Sequence, residues 1–383
     1  MDTYRRHQII WKIIQRLLRV PVCRKFRMSH EDLSVEGPVL LIPNHVTTWD
    51  PLLVAMSLPD KQIYYVASEH LFRLGFVTRL LNWLVAPIPR RKASSGADTV
   101  KACLRHLREG HSVCLFAEGE QTWTGCSQPI FPATGKLVKS SGATLVTYRL
   151  EGGYLSLPRW GRGVRRGRVY GHPVAIYPPD YLKNLSAGEI NDVIERDIYE
   201  DAWLRQREQP IAYRGKKRAV GLEKLLYLCP RCQGVGTLHS RKNRLFCDCG
   251  LSLSMTEQGF FSPESPFASV LEWDEWQREA LARLPSDENG RLFFDETLKL
   301  TRISLSHDEQ PLGLDRLSLF QDRLCFGTES FPLCEVNNMA MVKDNLLLFS
   351  FRGDYFELRS DAGHNLRKYL EYWRKNKDGL LEC

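Results

Sequence analysis

The pattern of apolar and polar residues predicts alternating strands and helices in the first part of the chain. Short apolar runs have the length of buried strands at 38–43, 111–117 and 143–150. Apolar residues recur at helical spacing over 51–58, 97–109 and 136–141. Strands that alternate with helices are typical of an α/β fold in which helices cover a mainly parallel sheet. Sites in such folds usually lie at the carboxyl ends of the strands.

The rest of the chain follows a different pattern. A polar helix is predicted over 186–208 and is followed by a basic linker at 213–221. A further helix over 268–284 precedes several short β-like runs, and the chain ends in an amphipathic helix at 364–376. Strands followed by a terminal helix favour a small β-rich domain of the pleckstrin-like kind. The expected domains are an interface helix (1–28), an α/β domain (29–215), a cysteine-containing ribbon (222–262) and a β-rich domain (263–383).

The first predicted helix, over residues 4–20, is amphipathic and basic. Its apolar face is expected to contain Ile9, Ile10, Ile13, Ile14, Leu17 and Leu18. Its remaining positions include Trp11 and the cations Arg5, Arg6, Lys12, Arg16 and Arg19. Such a helix can lie in a membrane interface, with apolar residues among acyl chains and cations near phosphates. A helix packed on the domain is the alternative interpretation.

Charge is distributed unevenly along the 383 residues. Residues 1–220 hold 33 Lys and Arg against 20 Asp and Glu, whereas the remainder holds 20 against 25. A basic first part indicates an anionic partner, such as phospholipid headgroups, phosphorylated substrates or nucleic acid. We expect no secretory signal, and no apolar run approaches the ~20 residues that span a bilayer. These features predict a peripheral protein on the cytoplasmic face of a membrane.

The first candidate for chemistry is an imidazole and a carboxylate in one short loop. The strand at 38–43 is followed directly by Asn44 and His45, and Asp50 comes five residues after the histidine. A histidine with an ordinary pKa of ~6.5 can remove a proton from an attacking alcohol. A carboxylate bound to its other ring nitrogen would select the required tautomer. A structural histidine is the alternative for this pair taken alone.

A second motif favours a catalytic role for His45 and Asp50 over a structural one. The strand at 111–117 leads into Phe116-Ala117-Glu118-Gly119-Glu120-Gln121-Thr122. Together the two segments resemble the motifs Asn-His-x4-Asp and Phe-Pro-Glu-Gly-Thr-Arg-Ser of the glycerolipid acyltransferases, the family of 1-acylglycerol-3-phosphate and glycerol-3-phosphate acyltransferases. Between them, Pro87-Ile88-Pro89-Arg90-Arg91 is similar to the family's arginine segment. The resemblance extends over about residues 35–180.

The resemblance implies that the protein acts in phospholipid biosynthesis, and it implies a role for each of several residues. It implies that His45 is the general base and Asp50 its orienting partner. It further implies that Arg90 or Arg91 binds an acceptor phosphate, and that Asn44, Glu118 and Gly119 shape the substrate pocket. The implied donor is acyl-CoA or acylated carrier protein, and the default acceptor is 1-acylglycerol-3-phosphate.

Three departures from the family motifs concern the acceptor. Ala117 replaces a proline, Glu120 a threonine and Gln121 an arginine. One expected cation is therefore missing, and Glu120 is expected to repel a phosphate. A neutral, glycosylated or otherwise unusual lysolipid stays open as acceptor. Also open is a module of another class, which binds lipid without turnover and recruits a partner through its cysteine-containing ribbon.

A basic loop at 159–168 contains five arginines and Trp160. Such a loop could contact anionic headgroups or the phosphates of the acyl donor. Single-stranded nucleic acid binds similar mixtures of cations and aromatic residues. Beside an acyltransferase-like segment, we favour the membrane or the substrate over nucleic acid.

Four of the eleven cysteines are grouped in sequence. Two close pairs, Cys229 with Cys232 and Cys247 with Cys249, are separated by fourteen residues. Four thiolates arranged in this way are typical of a closed structural Zn²⁺ site in a zinc ribbon. An iron–sulfur or rubredoxin-like iron site is the alternative. The scattered cysteines suit a reducing cytosol better than a disulfide framework, and the C-terminal region could bind a protein partner.

Overall fold

A computed structural model describes residues 3–59, 61–68, 72, 76–90, 96–304 and 309–376. The chain forms two compact units. The first comprises Met1–Arg159 and Gly163–Gly215, and the second comprises Trp160–Arg162 and Lys216–Cys383. No helix among the described residues is both long and apolar enough to cross a membrane.

Seven strands form one sheet in the first unit. In chain order they are β1 (Met28–His30), β2 (Val39–Pro43), β3 (Ile63–Ser68), β4 (Ile88–Arg90), β5 (Ser112–Cys114), β6 (Thr144–Glu151) and β7 (Val169–Tyr177). Their order across the sheet is β1-β7-β6-β2-β5-β3-β4. Neighbouring strands are parallel except for β6 and β7. The predicted α/β fold with a mainly parallel sheet is therefore confirmed.

Helices pack on this sheet. They are α1 (Thr3–Phe26), α2 (Asp50–Ala55), α3 (Phe76–Leu84), α4 (Ala97–Arg108), α5 (Thr134–Ser141), α6 (Gly153–Ser156), α7 (Pro179–Lys183), α8 (Ala187–Ile198) and α9 (Ala202–Glu208). Apolar side chains of α4, α5 and α8 form one buried cluster with β2, β5 and β6. This cluster fixes the central strands, and β2 and β5 are the strands that lead into the two motifs.

The region predicted as one helix over 186–208 is instead two helices. The prediction was wrong because Asp201 caps a new helix, accepting hydrogen bonds from the backbone amides of Trp203 (2.8 Å) and Leu204 (3.0 Å). An aspartate that accepts such bonds starts a helix rather than continuing one. Glu200, beside the break, is buried in an ion pair with Arg205.

Helix α1 has a buried face and a separate exposed apolar face. Its buried residues are His7, Trp11, Gln15, Val22 and Phe26. Gln15 donates to the carbonyls of Ala55 (2.8 Å) and Leu58 (2.7 Å), which fixes the helix on the unit. A separate row of exposed apolar residues consists of Ile9, Ile13, Leu17 and Val20. Trp11 therefore does not belong to the polar face predicted for it, because it packs inward.

The second unit begins with a small antiparallel sheet, followed by a larger one. The small sheet has the order β10-β9-β8, and the larger has the order β14-β13-β12-β11-β17-β16-β15. The elements are β8 (Leu238–Arg241), β9 (Arg244–Cys247), β10 (Ser252–Ser254), α10 (Val270–Leu281), β11 (Arg291–Ile303), β12 (Glu309–Phe320), β13 (Arg323–Phe326), β14 (Glu329–Pro332), β15 (Val336–Val342), β16 (Leu346–Phe351), β17 (Asp354–Arg359) and α11 (Arg367–Asn376). The predicted β-rich C-terminal region that ends in a helix is confirmed.

The chain before Cys229 shares a core with α10 and α11. Gln277 of α10 accepts a hydrogen bond from the Tyr227 amide (2.9 Å) and donates to the Leu225 carbonyl (3.1 Å). Arg367 of α11 forms a buried ion pair with Asp274 of α10. Because buried polar groups require partners, these bonds fix the position of the cysteine segment relative to both helices.

Candidate active site

His45 and Asp50 are in direct contact at the carboxyl end of β2. The Nδ1 atom of His45 lies 2.7 Å from Oδ2 of Asp50. The Asp50 side chain is fully buried, whereas 17% of the His45 side chain is exposed. An ionised carboxylate can only accept, so Nδ1 carries the proton and Nε2 is the ring nitrogen able to take one. The sequence prediction that these two residues meet across one loop agrees with this geometry.

The Asp50 carboxylate is surrounded by hydrogen-bond donors. It accepts from the backbone amides of Val46 (2.6 Å) and Thr47 (3.0 Å) and from the Thr47 hydroxyl (3.0 Å). These donors replace the water lost on burial and hold the carboxylate in one orientation. Sequence reasoning missed the role of Thr47. Its position, three residues before an aspartate that begins a helix, is the signal that could have revealed it.

The imidazole is also fixed by an aromatic ring. Phe116, which follows β5, stacks on His45 with the ring centroids 4.3 Å apart and the planes 26° apart. Strands β2 and β5 are parallel neighbours, so their carboxyl ends lie side by side. The hydrogen bond to Asp50 and the stacking with Phe116 together leave the ring little freedom to rotate.

Glu118 supports the histidine loop with both oxygens of its carboxylate. Its Oε1 atom accepts from the backbone amide of His45 (2.7 Å), and its Oε2 atom accepts from the amide of Gln128 (2.6 Å). The side chain is buried, and burial raises the pKa of Glu118 to about 8 despite these two bonds. The negative charges of Asp50 and Glu120 raise this pKa further.

The Asn44 side chain likewise forms hydrogen bonds with the backbone. Its Nδ2 atom donates to the Leu150 carbonyl (3.0 Å), and its Oδ1 atom accepts from the Leu150 amide (2.7 Å). The residue is fully buried. Both polar atoms of its side chain therefore join the end of β2 to β6, and the geometry gives Asn44 a structural task beside the histidine.

Arg90 and Gly119 meet at one phenylalanine. The Arg90 guanidinium lies 4.0 Å from the centroid of the Phe131 ring, and burial lowers the pKa of Arg90. Gly119 has φ +76°, and a Cβ atom there would lie 2.2 Å from the Phe131 ring. A side chain at 119 would therefore displace Phe131, which stacks on Arg90. Arg91, the other arginine predicted to bind phosphate, lies outside the described residues.

Glu120 is paired with an arginine from the basic loop. Arg159 lies 2.8 Å from the Glu120 carboxylate, donates to the Gln121 carbonyl (3.3 Å) and stacks 4.1 Å from the centroid of Trp123. Only 5% of the Arg159 side chain is exposed. Glu120 was expected to add a repelling charge, but this guanidinium neutralises it. Sequence reasoning missed the pair because its members are 39 positions apart.

The basic loop presents fewer cations to solvent than its sequence suggests. Arg165 is buried, with 5% of the residue exposed. In the second unit, Arg162 pairs with Asp344 at 3.1 Å, although 59% of its side chain is exposed. Two of the five arginines, Arg159 and Arg165, are therefore buried, and the other three stay exposed.

The four cysteines converge in the second unit. Their sulfur atoms all lie within 4.8 Å of one another. Cys229 and Cys249 are 3.8 Å apart, and Cys232 and Cys247 are 3.7 Å apart. Sulfurs bound tetrahedrally at ~2.3 Å from one zinc ion would be separated by ~3.8 Å, so the donor set fits such an ion. Cys334, one of the scattered cysteines, takes part in a disulfide bond.

The region that contains the His45 loop matches a known protein family. Residues 25–151 match the family model described as Acyltransferase. A chloroplastic 1-acyl-sn-glycerol-3-phosphate acyltransferase from Brassica napus is 22% identical over 202 residues, which are 52% of this chain and 52% of that protein. The enzyme of the same name from Borreliella burgdorferi is 24% identical over 121 residues, which are 31% of this chain and 48% of the relative.

The chain spans about half the length of these curated relatives. Among solved structures, it is similar to the 1-acyl-sn-glycerophosphate acyltransferase PlsC from Thermotoga maritima, with a TM-score of 0.42 and 15% identity. That similarity covers 51% of this chain and 80% of the solved one. The match to the family model over residues 25–151 agrees with the resemblance that the sequence motifs carry.

Proposed function

We propose that this chain, whose residues 25–151 match the acyltransferase family, transfers a fatty acyl group from a thioester to the hydroxyl of a lysophospholipid-like acceptor. The observation that carries the proposal is the 2.7 Å contact between His45 and a buried Asp50 that is held by backbone amides. This arrangement defines the tautomer and orientation of the imidazole before a substrate arrives.

The proposed mechanism uses Nε2 of His45 as general base. The acceptor hydroxyl gives its proton to Nε2 as its oxygen attacks the thioester carbonyl carbon. The resulting tetrahedral intermediate collapses with breakage of the carbon–sulfur bond. The imidazolium returns the proton to the departing thiolate, so the products are an ester and a free thiol. Asp50 stabilises the imidazolium throughout, as a carboxylate does in hydrolase triads. The donor is acyl-CoA or acylated carrier protein.

The acceptor end of the proposed site combines one cation with one ion pair. Arg90 is suited to a phosphate because a guanidinium can donate two parallel hydrogen bonds. The pair of Glu120 and Arg159 adds no net charge there. We therefore keep 1-acylglycerol-3-phosphate as the default acceptor, with neutral or glycosylated lysolipids as acceptors to be tested beside it. Asn44 and Glu118 act in this proposal as positioning residues for the His45 loop.

The proposed location is the cytoplasmic surface of an anionic membrane. Two exposed apolar rows support it. One is the α1 row of Ile9, Ile13, Leu17 and Val20, and the other is the α3 row of Phe76, Leu80 and Trp83. The helices adjoin, since the Arg6 guanidinium lies 5.8 Å from the Trp83 ring centroid. Exposed Lys12 and Arg16 border the α1 row. Apolar rows beside cations suit acyl chains beneath phosphates.

The proposed role of the four-cysteine cluster is structural. Cys229, Cys232, Cys247 and Cys249 would hold one Zn²⁺, which would cross-link the ribbon and leave no open coordination position. A pleckstrin-like assignment of the β-rich region is supported by its antiparallel sheet order and terminal helix. We propose that the four-cysteine ribbon and the β-rich region bind a protein partner or a lipid. The boundaries predicted for the domains stay a prediction.

The test is a mass-spectrometric screen of acyl-CoA and acyl-carrier donors against a panel of lysolipids, run with the parent chain and with His45→Ala. We expect the parent to form an acylated lysolipid and the variant to form none, with melting temperature and vesicle binding unchanged. Equal rates for the two proteins would refute the mechanism. A parent chain that binds vesicles but transfers nothing would favour the non-catalytic lipid-binding module.

A further inference from the structure

A second group of metal-ligating side chains lies in the first unit, apart from the cysteines and from His45. His106 lies in the last turn of helix α4, Glu109 follows that helix, and His111 immediately precedes β5. Their ligand atoms all lie within 4.8 Å of one another. The motif containing Glu118 follows the carboxyl end of β5, whereas this group lies before its amino end. It is therefore at the opposite edge of the sheet from His45.

The distances within this group match those between ligands of a single ion. The two Nδ1 atoms of His106 and His111 are 3.3 Å apart. The carboxylate of Glu109 lies 3.5 Å from Nδ1 of His111. Two nitrogen ligands ~2.0–2.1 Å from a tetrahedral zinc ion are separated by ~3.3 Å, and a carboxylate oxygen lies only slightly farther away. Two of the three ligand separations therefore fit one ion of this size.

The backbone holds the three ligands in place. Gly110, two residues after the end of α4, adopts φ +80°, a conformation suited to glycine. The amide of His111 then donates to the carbonyl of His106 (2.9 Å), which folds the second imidazole back towards the first. A helix end and the first residue before a buried strand are rigid supports, so little ordering would be required on binding an ion.

Aromatic residues of α1 and β3 surround the two imidazoles. Tyr4 stacks on His111 with ring centroids 4.0 Å apart, and Tyr64 lies against His106 at 4.3 Å. His7 of α1 is hydrogen-bonded through Nδ1 to the Tyr64 hydroxyl at 3.1 Å. Fixing the imidazoles would therefore also fix the surfaces on which the start of α1 packs.

We propose that His106, Glu109 and His111 form a second metal site, for Zn²⁺ or another borderline divalent transition metal, which stabilises the attachment of α1. Two imidazoles and a carboxylate are ligands that zinc accepts, and three protein ligands leave a fourth position for water. The proposal does not depend on the acyltransferase activity.

The experiment measures zinc binding to the full-length chain by equilibrium dialysis and elemental analysis. The parent is compared with His111→Gln, Glu109→Gln and the control His172→Asn. The control breaks another imidazole–carboxylate pair, between His172 and Glu151 at 3.1 Å. We expect His111→Gln to lose one zinc equivalent per chain and Glu109→Gln to bind that equivalent at least tenfold more weakly, with no change in the control. Glu109 is half exposed, so its replacement is compatible with folding.

Two spectroscopic readouts separate this site from the cysteines and from adventitious binding. In the cobalt-substituted chain, the thiolate charge-transfer band should persist in His111→Gln, while the visible bands of nitrogen- and oxygen-bound cobalt disappear. Added zinc should slow amide hydrogen exchange over residues 3–26 and 97–115 in the parent but not in the variant. Equal zinc binding by all four proteins, or equal loss in the control, would overturn the proposal.

Discussion

Nδ1 of His45 donates its proton to a carboxylate of Asp50 that is fully buried and already accepts two backbone amide bonds. Replacing Asp50 by Asn therefore removes the acceptor that selects the imidazole tautomer. An asparagine has one accepting oxygen instead of two, so either the imidazole or the amides of Val46 and Thr47 lose a partner. We predict that Asp50→Asn lowers kcat by about 10³- to 10⁴-fold, by analogy with hydrolase triads.

The measurement is acyl transfer under saturating substrate, together with a thermal unfolding curve. His364→Asn serves as control because it breaks an imidazole–carboxylate pair with Asp295 (3.4 Å) in the second unit. We expect that control to retain the parent rate. An Asp50→Asn chain with a normal rate would mean that the carboxylate has no part in orienting the base.

Glu118→Gln should change how stability depends on pH. The pKa of Glu118 is raised to about 8 by burial, against an ordinary value of 4.5. The folded state therefore binds more protons than the unfolded state between these two pH values, and the contribution of Glu118 to stability falls as pH rises through them. Glutamine does not titrate, so the free energy of unfolding of the parent should fall relative to that of the variant from pH 5 to pH 8.

Urea unfolding at pH 5, 6.5 and 8 checks this sign. Glu195→Gln is the control, since Glu195 also accepts a backbone hydrogen bond, from Ile130 at 3.0 Å. It reports the general effect of replacing a carboxylate that binds a backbone amide. A difference between parent and Glu118→Gln that stays constant, or that moves in the other direction, would contradict the assigned pKa shift.

Gly119→Ala tests whether the glycine is required for conformation alone or also for space. Gly119 and Gly142 both have positive φ, at +76° and +63°. Alanine costs about 1–2 kcal/mol in that conformation at either position. Only at 119 does the new Cβ also collide with Phe131, since nothing lies within 4 Å at 142. We predict that Gly119→Ala is the more destabilising variant and that it alone lowers kcat/KM for acceptors that bind Arg90.

Much of this geometry could be predicted from sequence, and the failures have physical causes. The strand before Asn44 and the strand before Glu118 are short apolar runs, and their parallel pairing brings the two motifs together. Strand β7 was missed because Pro173 interrupts its pattern, and the structure accommodates this residue at a register shift between β6 and β7. The ion pair of Glu120 and Arg159 depends on the tertiary path of the chain, which no local pattern records.

Cys232→Ser should release zinc from the second unit. The Cys232 sulfur lies 3.7 Å from that of Cys247 in the four-sulfur cluster, and the residue is exposed, so its replacement leaves no buried cavity. Serine is a poor ligand for zinc in such a site. We predict the loss of about one zinc equivalent per chain and earlier unfolding of the second unit. Cys325→Ser, at a free cysteine outside the cluster, should retain the parent zinc content.

The membrane proposal predicts that a charge on the α1 row weakens vesicle binding, whereas the same change elsewhere does not. Leu17 and Leu314 are matched for this comparison because the two residues are 68% and 66% exposed. Transfer of one leucine from water into an apolar phase contributes about 1.5–3 kcal/mol. Leu17→Glu removes that contribution and adds repulsion from anionic lipids, so its binding should be at least tenfold weaker in co-sedimentation with phosphatidylserine-containing vesicles.

Leu314→Glu makes the same change in charge and apolar area in the second unit, so it should bind as the parent does. Trp83→Glu tests the α3 row independently and should act in the same direction as Leu17→Glu. Because the apolar contribution resists salt whereas the attraction of Lys12 and Arg16 to lipid does not, added salt should weaken the binding of the parent without abolishing it. Equal binding by Leu17→Glu, Trp83→Glu and the parent would exclude these two rows as the membrane surface.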